Sequence, residues 1–102
     1  MKLRYMFEAG AGVCLWAHDE EARVHYGYPV SLEYLPLSND TVDRGHDLIS
    51  AFDGSIDWRN PAGESVWTDE ERQQFAASSA AFLARLRGEL GDAVELVTDF
   101  PA

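Results

Sequence analysis

Apolar residues recur at two different spacings along this chain, and the change between them constrains the fold more than any other feature. Leu3, Tyr5 and Phe7 alternate with Lys2, Arg4, Met6 and Glu8, which is the two-residue period of a half-buried strand over 2–8. Val42, Gly45, Ile49 and Phe52, with Leu48 beside them, recur every three or four residues, as do Phe75, Ser79, Phe82, Leu86 and Leu90. These are the apolar stripes of two helices. A chain with both periods must lay helices over an apolar sheet face.

The residues between the periodic stretches divide the chain further. Ala9-Gly10-Ala11-Gly12 can supply the positive φ angles of a hairpin loop, so 13–17 reads as a return strand with Cys14, Trp16 and His18 on one face. Asp19 is a good N-cap for a short helix over 20–26 that Gly27 closes. Pro29 and Pro36 break regular pairing in 28–37, where Val30, Leu32, Leu35 and Leu37 suit a segment lying flat on the core. Ser38 opens the next helix, whose Asp40, Asp43, Arg44 and Asp47 face water, and Gly54 stops it. Thr68-Asp69-Glu70-Glu71 matches a capping box at the head of the longest helix, which Gly91 ends. A last strand over 93–100 points Val94, Leu96 and Phe100 one way.

The expected order is β-β-α-α-α-β, a two-layer α+β fold. Its three-stranded antiparallel or mixed sheet combines the N-terminal hairpin with the C-terminal strand, and helices cover one face. The 102 residues suit one domain, 1–102, and 46% hydrophobic side chains suffice for its core. Arg4, Met6, Cys14, Trp16, Glu95 and Val97 would then share the sheet's other face, an apolar centre with a charged rim. Such a face suits an interface, a homodimer contact included, unless Trp16 folds over its own edge.

Eighteen acidic residues against eight basic ones give a net charge of −10. Phosphate backbones and anionic lipid are repelled by such a surface, whereas a protein with a basic patch is attracted and steered. Acidity also serves solubility, and Asp19-Glu20-Glu21 and Asp69-Glu70-Glu71 fall where negative charge complements a helix dipole. The charged start Met1–Glu8 lacks the apolar stretch of a signal peptide, and no apolar run reaches the ~20 residues needed to span a bilayer. Cys14 is the lone cysteine, which excludes an internal disulfide and a cysteine-based zinc site. The expected location is the cytoplasm.

Chemistry-bearing residues are few. His18-Asp19 and His46-Asp47 are HD dipeptides, but they lack the further ligands of a metal-dependent phosphohydrolase, and Asp19 is already explained as a cap. Cys14, between Val13 and Leu15, reads as a small packed hydrophobe. Asp53, Asp57 and Glu64 could form a carboxylate set for acid–base work, although Asp53 before Gly54 is equally accounted for by turn chemistry. No nucleotide-binding or nucleophile motif is present, and neither a cofactor nor a metal is implied.

The segment 54–67 stands out. Loops longer than about 12–15 residues are uncommon in compact domains and tend to be functional or mobile. Asp57, Trp58, Arg59, Asn60, Glu64 and Trp67 are of the types that dominate recognition surfaces. Trp67, beside the capping box, reads better as a core anchor, and for Trp58 both roles stand.

Leu15-Trp16, Gly27-Tyr28-Pro29-Val30, Leu35-Pro36-Leu37-Ser38, Asp57-Trp58 and Trp67-Thr68, leading into the Phe75–Leu90 helix, resemble a set of small acidic bacterial proteins of GC-rich genomes with no assigned function. The resemblance implies a fold and no catalytic residues. By size and charge alone the chain is similar to toxin-neutralising immunity proteins and antitoxins. The expected function is therefore a non-enzymatic protein-binding module of the immunity or antitoxin kind, using Asp57, Trp58, Arg59, Asn60, Glu64, Trp67, Trp16 and Arg4 against a basic partner. The alternative is a small hydrolase or isomerase built on Asp53, Asp57 and Glu64.

Overall fold

The computed structural model describes residues 1–60 and 62–98. Its elements are β1 (Lys2–Tyr5), β2 (Leu15–Ala17), α1 (Glu20–Tyr26), β3 (Pro29–Val30), a 3-10 turn (Leu32–Tyr34), α2 (Asn39–Asp53), α3 (Asp69–Leu90), a second 3-10 turn (Gly91–Ala93) and β4 (Glu95–Val97). The sheet is mixed, in the order β3-β2-β1-β4, with β1 antiparallel to β2 and parallel to β4. The α+β class agrees with the sequence. The strand count and order do not: the described residues form four strands in the order β-β-α-β-α-α-β.

The additional strand, β3, lies where two prolines predicted irregular chain. An edge position resolves the conflict, since proline is tolerated where no ladder donor is required of it. Pro29 sits opposite Trp16, Tyr28 O accepts from Ala17 N at 2.7 Å, and Val30 is buried opposite Leu15. The other strands are shorter than expected. Met6 N still reaches Cys14 O at 3.0 Å and Phe7 stays buried beyond the end of β1, but the chain bends at Cys14. The last strand begins only at Glu95, because Gly91–Ala93 continue α3 as a 3-10 turn; Phe100 lies outside the described residues.

Helix boundaries follow the caps. The Asp19 carboxylate accepts Ala22 N, the Ser38 hydroxyl accepts Thr41 N, and Thr68 with Glu71 closes the capping box. Leu3, Tyr5, Leu15, Ala17 and Val30 come from the sheet to meet Ile49, Phe82, Leu86 and Leu90 from the helices. Tyr5 runs from β1 to α3, where its hydroxyl lies 3.1 Å from Ser79 O and 2.9 Å from Ser79 Oγ, so the buried phenol is satisfied. A file of rings continues outward: Phe7 stacks on Phe52 at 5.6 Å, Phe75 meets Phe7 edge-on at 5.2 Å, and Trp67 lies 4.9 Å from Phe75.

Two features fix α2 against α3. Gly45 leaves no side chain at the crossing: a Cβ there would lie 2.2 Å from Leu32 Cδ1 and 2.8 Å from Phe82 Cζ. A polar clasp closes the outer end. Glu89 accepts Ser38 N at 2.7 Å and the Thr41 hydroxyl, while Arg85 donates to Thr41 Oγ1 at 2.7 Å and to Asp40 at 2.6 Å. The Ser38 amide, then the Thr41 hydroxyl, and Arg85 hold the Glu89 carboxyl at about 2, against an ordinary 4.5.

Gly45→Ala gains up to about 1 kcal/mol of helix propensity but overpacks a closed site at about 3 kcal/mol. The expected outcome is a net loss of about 2 kcal/mol in denaturant unfolding, with the m-value unchanged. The depressed pKa of Glu89 makes its contribution complete above 4.5 and lost as pH falls from there toward 2. The Tm gap between wild type and Glu89→Gln should therefore be widest near neutral pH and close across that acid window.

Candidate functional site

The segment between α2 and α3 is tied at its neck. Ser55 is buried, its hydroxyl donating to Phe52 O at 2.6 Å. Ser55 O accepts Val66 N at 3.0 Å and the Ser65 hydroxyl at 2.8 Å, and Ser65 Oγ accepts Trp67 N at 3.1 Å. The chain thus leaves and returns at one point, an Ω-type loop. Within it Asn60 N donates to Asp57 O at 2.9 Å, Arg59 N to the Asp57 carboxylate at 3.0 Å, and Gly63 N to Asn60 O at 2.9 Å. Trp67, expected as an anchor, is half-buried against Phe75, with its carbonyl accepting Arg72 at 3.2 Å, whereas Trp58, whose role the sequence left open, is 58% exposed.

Trp58 is nevertheless held. Its indole N–H donates to Asp53 O at 3.2 Å, and the Asp53 carboxylate accepts Gly10 N at 3.0 Å from the tip of the β1–β2 hairpin. The ring lies over that tip, Trp58 Cη2 standing 3.6 Å from where a Cβ on Gly10 would be. Gly10 has φ +74°, the left-handed conformation glycine adopts without strain. The Asp53 ties therefore join the hairpin tip to the Trp58 loop, and these two segments contain Glu8, Asp57, Arg59 and Glu64. Glu8, Arg59, Asn60 and Glu64 are exposed, and Asp57 is half-buried.

Arg4 and Trp16 lie elsewhere. They are partners in the β1–β2 register, and Val97 and Pro29 extend the same row across the sheet. Trp16 is only 7% exposed; its indole donates to Met6 O at 3.0 Å and its ring packs 5.2 Å from Tyr28. Arg4 is half-buried. The expected apolar centre of this face is thus partly covered, because Tyr28, immediately before β3, packs on Trp16. Cys14 is not on an open face but in the core, where burial pushes its thiol up to about 12. That environment suits a packed hydrophobe and not a nucleophile.

Two of the three carboxylates of the candidate acid–base set accept backbone amides, and the third, Glu64, is exposed. Asp53 accepts Gly10 N and Asp57 accepts Arg59 N, while His46 pairs with Glu33 and His25 packs on Tyr26. The described residues contain no group of three or more His, Cys, Asp or Glu placed to hold a metal. A cleft of about 390 Å³ between α2 and α3 is lined by residues including Arg44, Leu48, Phe82 and Arg85, and by none of Asp53, Asp57 or Glu64. No helix among the described residues is long and apolar enough to cross a membrane.

Residues 1–98 match the model of a family described as Serratia CdiI immunity protein-like. The chain belongs to that family. No curated protein matches it. The set of bacterial proteins with no assigned function that its motifs resemble is thereby replaced by a family with an immunity-protein description. The sequence pointed to the Trp58 loop, but not to Glu8, Gly10 or the tie through Asp53. The only trace of these was Ala9-Gly10-Ala11-Gly12, legible as a turn alone.

Ser65→Ala removes one bond to Ser55 O and one to Trp67 N. Global stability should fall by only about 1 kcal/mol, while limited proteolysis within 56–64 accelerates several-fold. Unchanged cleavage would show that the neck is held by other means.

Proposed function

We propose that the chain is an immunity protein that binds a toxin protein in the cytoplasm of its own cell and presents the Trp58 face to it. The observation that carries this reading is the exposed indole of Trp58, held by a hydrogen bond to Asp53 O on a tied loop that also contains Asp57 and Glu64. Tryptophan is highly buried on average, and tryptophan and arginine are enriched among residues that dominate binding energy. A ring already fixed in place loses little conformational entropy on association.

The charge pattern describes the complementary surface: a basic patch around an apolar slot that admits the indole. A net charge of −10 steers such a partner and repels nucleic acid and anionic membrane. Asp57, Trp58, Arg59, Asn60 and Glu64 are the contact residues. Trp67 supports them from beneath, and Arg4 and Trp16 stay outside the contact. The family description supports the immunity role. The carboxylate set fits a rim better than a reactive centre, since backbone amides occupy Asp53 and Asp57.

Co-expressed with the toxin encoded in its own operon, the chain should restore growth, and Trp58→Ala should weaken toxin binding at least about 30-fold with an unchanged Tm. Raising salt from about 0.05 to about 0.5 M should slow association roughly tenfold. An operon without a growth-inhibiting protein, or full protection by Trp58→Ala, would contradict the reading.

A further inference from the structure

Asp53 is the last residue of α2. A carboxylate there meets the negative end of the helix dipole, where Lys, Arg or His is favoured, and Ser50, Ala51 and Phe52 supply no cation to offset it. A residue that breaks a local rule is expected to be compensated by something it does elsewhere. Asp53 makes two ties at once. Its side chain holds Gly10, 43 positions away in sequence, and its carbonyl holds the Trp58 indole and also accepts Ile56 N at 3.3 Å.

We infer that the partner is read by two loops, with the hairpin tip 8–12 joined to the Trp58 loop, and that Asp53 is the positioning residue that makes them one surface. This rests on the Trp58 face being the toxin-binding face, and it adds Glu8 and the hairpin backbone to the contact. Asp53 itself, engaged with Gly10 N, does not serve as a contact charge. Its negative charge matters less than its acceptor oxygen.

The substitutions Asp53→Asn and Asp53→Ala separate those roles. Asparagine keeps an oxygen that can accept Gly10 N–H, whereas alanine does not, and both leave the Asp53 carbonyl in place. Both also remove the charge that opposes the helix dipole, so neither should lower the Tm. Hydrogen exchange of the free chain, followed by NMR, reads the Gly10 amide and the Trp58 indole N–H. In Asp53→Ala both should exchange at least about tenfold faster, although the acceptor of the indole is untouched, while Met6 N–H in the sheet keeps its rate. In Asp53→Asn both should stay within about threefold of wild type, and toxin affinity should follow the same order. Unchanged indole exchange in Asp53→Ala would overturn the positioning role even if Trp58→Ala abolishes binding. The expected exchange pattern with toxin binding indifferent to Trp58→Ala would instead sink the functional reading of the face.

Discussion

The close approach of α2 to Leu32 and Phe82 at Gly45 is the contact on which the other layers of the structure depend. With only a hydrogen on that residue, the helix settles against buried side chains that a methyl group would strike. α3 then lies across both α2 and the sheet, and Tyr5 reaches it with a satisfied hydroxyl. The same placement brings Phe52 and Phe75 together on Phe7, so the end of one helix and the start of the next are joined by ring contacts. The loop between them therefore springs from packed rings, and Trp58 stands exposed on it.

The acidic residues take up separate tasks around this nucleus. Asp19 and Glu71 cap helices, Asp40 and Glu89 belong to the clasp between α2 and α3, and Asp53 ties two loops. In the hairpin tip and the Trp58 loop, Glu8 and Glu64 are exposed, while Asp57 is half-buried with its carboxylate accepting Arg59 N. The family to which the chain belongs carries an immunity-protein description.

Much of this was legible in the residues. The helices begin where Asp19, Ser38 and Thr68 predict, because a cap is a local interaction between a side chain and an amide two or three residues on. The core face of β1 and the stripes of α2 and α3 follow from period alone. β3 was not legible, because proline argues against a strand unless its edge position is known, and edge position is a property of the whole sheet. The covering of Trp16 by Tyr28 has the same origin, whereas Cys14 left the expected face because the chain bends there. Trp67 beside its capping box was readable as an anchor. The bond from Asp53 to Gly10 spans 43 residues and leaves no pattern in either segment.

The central claim, that a partner is held at the composite face of hairpin tip and Trp58 loop, is tested most directly by amide-exchange footprinting of the chain bound to its toxin. Slowed exchange confined to 8–12 and 54–67, with the outer surface of α3 exchanging as in the free protein, is the expected result. A footprint along α3 or over β3, with the Trp58 loop exchanging as freely as before, would contradict it.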